Sequence, residues 1–430
     1  MARMTKHLIL LSFDAMGSED FIKAREYPNF KRLIEKSSYS NDVSSVSPSL
    51  TYPAHTSIIT STLPENHGII ANTLFQPNRH SPDWYWHRKW IKAETLYDKA
   101  IDHGMKVASI LWPVTARSRI QLNFPEIFAN RKWQNQIMVS CFNGSPIYQY
   151  KLNKKYGHLR NGIEEPELDN FVLEALIDTL GDHRPDLTLC HFIDLDSMRH
   201  HYGYYSSQAD EALLRLDEKL GRILDFLDKE GMAKDTVLVV LGDHDQKPTH
   251  SVISLRRLFA DKGLIQYEKG KISNYDVMTK TCDGSSYIYV NNRAKLSEVR
   301  TVLEEFKTSQ NAVKAILDKE EINKIKADSR ADFMVDAMDG YYFNDYLEDH
   351  VISPVEVCNG KARDGYLLSS HGYICSDRNY KTVFMIKGKG IKENYDIGSM
   401  NLIDEGMTFA KILGLSLDKG QGRILEDIFE

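Results

Sequence analysis

Short apolar runs that end in polar residues recur along this chain and limit its fold more than any other feature. They cover residues 7–13, 106–111, 187–193 and 236–241. Segments with helical spacing separate these runs, and the clearest, at about 208–229, has a leucine-rich face beside charged residues. Apolar strands that alternate with helices are typical of an α/β fold built on a mostly parallel sheet.

The last part of the chain returns to this pattern. A run at residues 382–386 and a helix near 402–413 predict that the chain rejoins the same sheet. The stretch 252–361 is richer in charge, with a polar helical piece predicted at 296–328 and the aromatic patch Tyr341-Tyr342-Phe343. We therefore predict a core of residues 1–251 and 362–430 and an inserted cap or lid of residues 252–361.

The length and the net charge of the chain limit which classes of function are expected. With 430 residues and 42% hydrophobic content, the chain can bury a large core. Its 60 acidic and 54 basic side chains give a net charge of -6, and the basic residues form no block. Binding to a nucleic-acid duplex is therefore not expected, because the phosphate backbone attracts clustered positive charge.

Cysteine usage and the apolar runs predict the location. The five cysteines are odd in number, widely spaced and without a CxxC pair, which favours free thiols in a reducing compartment. The early run 7–13 is followed at once by Asp14 and lacks a cleavage site of small residues, so it does not match a signal peptide. No run approaches the roughly 18 apolar residues that span a bilayer. We expect a soluble, cytoplasmic protein without a membrane partner.

Aspartate and histidine residues follow the predicted strands, where functional residues of α/β sheets lie. Asp14 ends the first run, Asp243-His244-Asp245 follows the 236–241 run, and His371 precedes the last run. The segment after the 187–193 run reads Asp194-Leu195-Asp196-Ser197-Met198-Arg199-His200-His201. Any one of these aspartates is better explained as a helix cap or turn residue. Together they form a nitrogen and oxygen ligand set suited to zinc or a similar divalent ion.

Thr51 begins a segment that predicts a phosphate site. Pro53 suits a first helical turn, and the apolar residues after it favour a helix whose N–H groups and positive dipole end face Thr51. Thr51 alone is better explained as an N-cap. A threonine hydroxyl is a poor nucleophile at neutral pH, so a catalytic role requires a metal that stabilises the alkoxide.

These motifs resemble the nucleotide pyrophosphatase/phosphodiesterase branch of the alkaline phosphatase superfamily, in five blocks from Asp14 to His371. The blocks of this sequence that match it beyond Asp14 are Thr51-Tyr52-Pro53-Ala54-His55, Pro64-Glu65-Asn66-His67-Gly68-Ile69, Asp196-Ser197-Met198-Arg199-His200-His201-Tyr202-Gly203, Asp243-His244 and His371-Gly372-Tyr373.

The resemblance implies an alkaline-phosphatase-like three-layer α/β/α sandwich with a two-metal site. Thr51 would be the nucleophile and form a phosphothreonine intermediate, Asn72 would bind phosphate oxygens, and Tyr52 would stack on a nucleobase. Zinc is the usual ion of this family. One ion would be bound by Asp196, His200 and His371, and the other by Asp14, Thr51, Asp243 and His244.

The sequence departs from the family pattern in two places. Asp245 stands where glycine is common, and Met198-Arg199 replace small residues. Arg199 could bind a substrate anion or point outward into solvent. The cluster Trp84, Tyr85, Trp86 and Trp90 could extend a nucleobase pocket, although core or lid packing is the more frequent use of such residues.

We therefore predict a phosphodiesterase or nucleotide pyrophosphatase that acts on a small, nucleotide-like phosphate ester. A phosphomonoesterase or phosphonate hydrolase on the same scaffold is the alternative within the enzymes. A metal-dependent phosphoglycerate mutase fits less well, because its nucleophile is serine and no serine stands in a matching block. A non-catalytic nucleotide-binding relative is the alternative from another class.

Overall fold

The structure is a computed structural model that describes residues 3–79, 81–375 and 379–430. The strands are β1 His7–Phe13, β2 Ser38–Ser44, β3 Val107–Ile110, β4 Leu122–Phe124, β5 Leu187–Phe192, β6 Thr236–Leu241, β7 Lys247–Ser254, β8 Ile265–Glu268, β9 Lys271–Tyr275, β10 Val277–Cys282, β11 Ser285–Val290, β12 Val313–Asp318, β13 Phe333–Ala337, β14 Gly340–Asn344, β15 Ile352–Pro354, β16 Val357–Cys358, β17 Lys361–Ala362, β18 Ser369–Ser370, β19 Thr382–Lys387, β20 Tyr395–Asp396 and β21 Met400–Asn401. The helices are α1 Ser18–Ala24, α2 Pro28–Ile34, α3 Thr51–Thr60, α4 Pro64–His67, α5 Leu96–Asp102, α6 Gln136–Asn143, α7 Pro146–Tyr156, α8 Glu167–His183, α9 Asp194–Tyr202, α10 Ser207–Lys229, α11 Leu255–Asp261, α12 Leu296–Gln310, α13 Lys319–Lys324 and α14 Ile403–Leu413.

The largest sheet contains nine strands within the described residues. Their order is β20-β2-β19-β6-β1-β5-β3-β4, and β21 pairs with β2. The central strand β1 is parallel to both β5 and β6, and β3 is parallel to β4 and β5. Only β19 runs against its neighbours β2 and β6 in this part of the structure. The predicted mostly parallel central sheet is confirmed.

Side chains of β1 alternate between the two faces of the sheet. Leu8 and Leu10 pack in one apolar cluster with α3, α5 and α14, and Ile9 and Leu11 pack in another with α1, α2, α8 and α10. A strand that is buried on both faces must be apolar at every position, which explains the continuous runs in the sequence. The expected three-layer α/β/α sandwich is therefore confirmed.

The elements predicted for the core end within a residue or two of the observed ones, but four strands of the main sheet, β2, β4, β20 and β21, were not predicted. α10 is amphipathic, as predicted, and no helix in the described ranges is both long enough and apolar enough to cross a bilayer. Strand β2 was missed because its sequence is polar. Its serines can be buried because their hydroxyls bond to neighbouring backbone carbonyls. Ser38 donates to the Lys392 carbonyl, and Ser40 donates to the Gly398 carbonyl.

The stretch 252–361 contains smaller sheets with their own apolar cluster. Strands β10, β11, β13 and β12 form an antiparallel sheet, and β7 pairs with β14, β15 and β18. Strand β7 crosses the predicted boundary at 251/252, so that boundary does not fall between two elements. The division of the chain into core and cap, and the role of the cap, stay predictions.

The helical piece predicted at 296–328 is observed as two helices, α12 and α13, with strand β12 between them. Helix α12 ends at Gln310, and Asn311 takes the left-handed conformation with φ 49°. Residues 313–318 then form β12, which pairs with β13. Pairing with a strand that lies further along the chain therefore overrides a polar pattern that looked helical.

Candidate metal centre

The carboxylates of the candidate site lie at one edge of the main sheet. Asp14 follows β1, Asp243 lies two residues beyond β6, and Asp196 lies in the first turn of α9 after β5. Because β1, β5 and β6 are parallel neighbours, their carboxyl ends meet at this edge. All three carboxylates are buried.

Histidines complete two groups of ligand atoms. Asp14, Asp243 and His244 have ligand atoms within 4.8 Å of one another, and so do Asp196, His244 and His371. His244 Nε2 lies 3.3 Å from Asp243 Oδ2 and 3.5 Å from Asp14 Oδ1. The structure therefore places His244 between the two predicted ligand sets, with its ring stacked on that of His371.

His200, rather than its neighbour His201, lies beside Asp196. His200 Nε2 is 3.2 Å from Asp196 Oδ2, and its Nδ1 bonds to the Ser369 carbonyl at 2.8 Å. A proton on Nδ1 leaves the Nε2 lone pair for a metal, which is the usual arrangement of histidine ligands. His201 instead lines a neighbouring cavity.

Thr51 is the first residue of α3, and Leu50 occupies the N-cap position. Its hydroxyl does not cap the helix, because Thr51 Oγ1 lies 3.2 Å from His244 Nε2. His55, one turn later, donates its Nδ1 proton to the Thr51 carbonyl at 2.8 Å and lies 3.5 Å from Asp243 Oδ2. These contacts hold the first turn of α3 beside the two groups of ligand atoms.

Asn72 reaches the start of the same helix. Its Oδ1 accepts a hydrogen bond from the Tyr52 backbone N–H at 3.0 Å. Since the carbonyl oxygen is used in this way, the group that Asn72 offers to a phosphate oxygen is its NH2, a donor. Asn72 lines the cavity beside the metal centre.

Glycine is required directly after His371. Gly372 has φ 82°, and a Cβ atom there would lie 1.7 Å from the Cys282 carbonyl oxygen. Its N–H donates to the Ser49 carbonyl at 3.0 Å. The turn therefore passes close to Ser49 and brings His371 to the side of Thr51.

Electrostatics at the site favour a cation. Burial, followed by the negative charges of Asp243 and Asp196, raises the pKa of Asp14 well above its usual range. Burial opposes ionisation of Asp196 as well, but His200 and His371 hold the pKa of that carboxyl far below its usual range. Asp196 in turn raises the pKa of His200 to about 9 against the effect of burial.

Unpaired oxygens support the same conclusion. Asp14 Oδ1 and Asp243 Oδ2 are buried and have no hydrogen-bond partner among the described residues. Buried carboxylate oxygens without a donor are costly unless a cation binds them. The aspartate and histidine donors are those that zinc and similar divalent ions prefer, so the residues present fit two such ions.

Asp14 is held by a chain of hydrogen bonds that the sequence analysis missed. His191 contacts Asp14 Oδ2 through Nε2 at 3.1 Å and Glu126 Oε2 through Nδ1 at 3.2 Å. Tyr52 donates its hydroxyl proton to Glu126 Oε1 at 3.0 Å. Burial opposes protonation of His191, but the two carboxylates raise its pKa well above the usual range. Such partners orient metal ligands.

The predicted role of Tyr52 in stacking is wrong for this structure. The side chain is 0% exposed, its ring lies edge-on to Trp84, and its hydroxyl is used by Glu126. A ring buried on both faces cannot accept a nucleobase. Of the tryptophan cluster, Trp84 lines the cavity, Tyr85 and Trp86 are core residues, and Trp90 is partly exposed.

Sequence signals existed for some of the missed residues. His191 is the one histidine of the otherwise apolar strand β5, and it pairs in register with Ser12, close to Asp14. Gln246 follows the Asp243-His244-Asp245 block, and its Nε2 donates to Asp196. Glu126 lies in a loop after β4, and no pattern marked it.

Arg199 has neither of its two predicted roles. Its side chain is 2% exposed, and it donates to Asp20 Oδ1 and to the Ala15 carbonyl, both at 2.6 Å. Asp245 Oδ1 lies 3.8 Å from the same guanidinium and accepts the Tyr204 hydroxyl proton at 3.0 Å. The two departures from the family pattern are therefore partners in one buried ion network.

Replacement of Arg199 by methionine is expected to destabilise the fold, because it leaves Asp20 buried without its cation. Breaking a buried pair on one side costs about 3–5 kcal/mol in the free energy of unfolding, which urea denaturation measures. Arg222, which pairs with Glu174 at the surface, provides the control: Arg222→Met should change the free energy by less than about 1 kcal/mol. Equal unfolding midpoints for the two variants would contradict the assignment.

A cavity of about 970 Å³ opens beside the metal centre. It lies between the segment after α4 and the sheets of the 252–361 stretch, and this volume suits a small-molecule ligand. Its lining contains both aromatic and charged side chains, among them Asn72, Phe75, Trp84, Arg256, Lys280 and Tyr342.

Comparisons with known proteins agree on one group. The family model described as type I phosphodiesterase / nucleotide pyrophosphatase matches residues 8–374. Human ectonucleotide pyrophosphatase/phosphodiesterase family member 1 is 25% identical over 249 residues, which cover 54% of this chain and 23% of that protein. Human family member 5 is 21% identical, over 92% of this chain and 72% of its own length. The chain thus spans about a quarter of the first of these relatives.

Solved structures match over nearly the whole chain. Murine ectonucleotide pyrophosphatase/phosphodiesterase 5, as an inactive variant in complex with AMP, has a TM-score of 0.70 at 19% identity. The match covers 99% of this chain and 100% of that chain. The human protein of the same name matches equally well, with a TM-score of 0.70.

Proposed function

The chain belongs to the type I phosphodiesterase / nucleotide pyrophosphatase family, and from that premise we propose that it is a two-metal phosphodiesterase or nucleotide pyrophosphatase with Thr51 as its nucleophile. The observation that carries this proposal is the position of the Thr51 hydroxyl, 3.2 Å from His244 Nε2 and thus beside the residue that both ligand groups share. The predicted absence of a membrane partner and the predicted cytoplasmic location stay predictions.

Two divalent ions, proposed to be zinc, would be held by Asp14, Thr51, Asp243 and His244 and by Asp196, His200 and His371. When bound, such ions lower the pKa of a nearby hydroxyl and offset the charge of a phosphate. The protein itself orients the ligands: His191 holds Asp14, and Ser369 holds His200.

Thr51 would attack phosphorus in line with the leaving group. The Thr51 Oγ–phosphorus bond forms while the bond to the leaving oxygen breaks, and the leaving group takes up a proton. Water then attacks the phosphothreonine, which frees the phosphate product and restores the hydroxyl. His55 fixes the Thr51 backbone, and the Asn72 NH2 is placed to donate to a non-bridging oxygen.

The substrate class follows from the cavity and the relatives. AMP in the complex of the murine relative supports a nucleotide-like ligand. Tyr52 is buried here, so a base would instead meet the aromatic side chains of the cavity, such as Trp84 and Phe75. A cavity of this size can hold a nucleoside beside the reacting phosphate.

A substrate panel on metal-loaded protein tests this proposal. We expect kcat/KM for a nitrophenyl ester of a nucleoside monophosphate to exceed that for nitrophenyl phosphate by about a hundredfold or more, since only the diester can use the nucleoside contacts in the cavity. A nitrophenyl phosphonate extends the panel. A preference for the monoester or the phosphonate would favour the alternative hydrolases, and bound metal without any turnover would favour a non-catalytic relative.

A further inference from the structure

Helix α6 carries apolar side chains on the outside of the protein. Ile137 and Phe142 are 68% and 69% exposed. Polar side chains of the same helix face inward: Gln136 Nε2 donates to the Ile127 carbonyl at 2.9 Å, and Asn143 is buried. A surface helix normally has the opposite arrangement, because burying apolar side chains is favourable. The outward side of α6 therefore suits an apolar environment that lies outside the described chain.

Helix α7 and the turn before α6 extend this surface. Gln149 Nε2 of α7 donates to the Ser140 carbonyl of α6 at 2.9 Å, so the two helices pack side by side. The exposed side of α7 has the spacing i, i+3, i+4 and i+7 and consists of Ile147, Tyr150, Lys151 and Lys154. Trp133, in the turn, is 81% exposed.

Exposed apolar side chains are concentrated here. Of the fifteen large ones that are exposed in the described ranges, six lie between residues 133 and 150. We call them the outer apolar face: Trp133, Ile137, Met138, Phe142, Ile147 and Tyr150. Single exposed apolar residues are normal, but a group of this size marks an interaction site.

The surroundings of the outer apolar face are positively charged. The segment 131–160 contains six basic residues and no Asp or Glu, although the whole chain has a net charge of -6. Two of the six form ion pairs, with Asp83 and Asp178. Lys132, Lys151 and Lys154 are exposed, and within the described residues no carboxylate lies within 4.0 Å of their Nζ atoms. These three ammonium groups are placed to attract an anionic partner.

Charge and shape together favour an anionic membrane as the occupant. In a symmetric dimer formed through this face, the lysines of one copy would approach those of the other, which is unfavourable. Anionic headgroups instead attract lysines, and the hydrocarbon below them accepts apolar side chains. A protein partner must offer a matching pocket for its anchor side chains, whereas a lipid layer needs no such fit. Side chains that project separately from two helices and a turn therefore suit lipid.

We propose that the outer apolar face, with Lys132, Lys151 and Lys154, binds the surface of a membrane that contains anionic lipid. The apolar side chains enter the headgroup boundary, and the lysines contact the anionic headgroups. Trp133 and Tyr150 suit this depth, because each has an apolar ring with one polar atom. The expected absence of a membrane partner rested on the length of apolar runs, and a surface face needs no spanning run. This inference does not depend on the proposed hydrolase activity.

Flotation with lipid vesicles measures this binding. We expect the protein to bind vesicles of phosphatidylcholine with about one third phosphatidylserine, and to bind pure phosphatidylcholine at least about tenfold more weakly. Ile137→Ser together with Phe142→Ser should raise the Kd for the mixed vesicles by about tenfold or more, since the apolar contact is lost. Lys151→Gln together with Lys154→Gln should raise the Kd by a similar factor, and binding by the wild type should weaken as the salt concentration rises.

Ile22→Ser is the matched control for the apolar variant. Ile22 is 63% exposed on α1, which packs on β2 and β19, whereas α7 packs on β4 at the opposite end of the main sheet. This variant should bind vesicles as the wild type does. All of the replaced side chains are exposed, so the urea unfolding midpoints of the variants should stay close to that of the wild type.

The same proteins separate the other occupants. Wild-type protein that neither floats nor self-associates overturns the proposal and points to a protein partner with acidic residues. A wild-type dimer in sedimentation velocity that does not float, and that Ile137→Ser with Phe142→Ser dissociates, overturns it in favour of a second copy of the chain. Flotation that neither double variant weakens, or that Ile22→Ser weakens equally, overturns it as well.

Discussion

Thr51→Ala is expected to lower turnover by about 10⁴-fold or more while the protein keeps its metal. Removal of a nucleophile has effects of this size because no other group can form the covalent intermediate. The structure supports retention of metal, since Asp14, Asp243 and His244 approach one another without help from the Thr51 side chain. The measurements are kcat/KM on a nitrophenyl nucleotide ester and metal content per chain.

Thr51→Ser is the matched control for this prediction. It keeps a hydroxyl at the start of α3 and should retain far more activity than the alanine variant. The Kd of Thr51→Ala for the product should lie within about tenfold of the wild-type value, because Asn72 and the ligand groups stay in place. Turnover by Thr51→Ala at a rate close to that of the wild type would refute the assignment of the nucleophile.

Removal of metal by a chelator is expected to lower kcat/KM by about a thousandfold or more, and zinc should restore it. Metal ions contribute several kcal/mol to the stabilisation of a phosphoryl transition state, and each 1.36 kcal/mol is a factor of ten. The melting temperature should fall as well, because ions that bind only the folded state stabilise it by about 4 kcal/mol at a thousand times Kd. Elemental analysis should find two ions per chain in the loaded protein.

Neighbouring histidines provide a matched pair for the metal prediction. His200 lies 3.2 Å from Asp196, whereas His201 lines the cavity. His200→Gln should therefore lose one ion per chain, and His201→Gln should keep both. Full activity in stripped protein, or equal metal content in the two variants, would show that the ligand assignment is wrong.

The network around Arg199 changes how the family resemblance applies to this chain. Arg199 and Asp245 each looked like an isolated departure from the pattern, but they lie 3.8 Å apart and share the neighbourhood of Asp20. The larger Asp245 fits because Gly17 opposes it: a Cβ at Gly17 would lie 2.3 Å from Asp245 Cγ. The two departures from the family pattern thus pack together with Asp20 and Gly17 in one buried network.

The cavity side of the site was harder to predict than the metal side. Metal ligands follow strands, and parallel strands end at one edge, so a strand pattern alone brings Asp14 and Asp243 together. No comparable rule connects Lys280 to Thr73, which are 207 positions apart, or Glu126 to His191. Such pairs depend on how the loops and the 252–361 sheets pack on the core.

The sequence by itself determined the α/β class, the mostly parallel sheet and the family, because periodicity and strand-end chemistry are local properties. The tertiary structure alone decided which side chains are buried and which partners they meet. Tyr52 therefore supports Asp14 through Glu126 and His191 instead of stacking on a base, and Arg199 pairs with Asp20 instead of binding substrate. The physical reason is that burial and charge pairing depend on segments far apart in the chain, which spacing along the sequence does not encode.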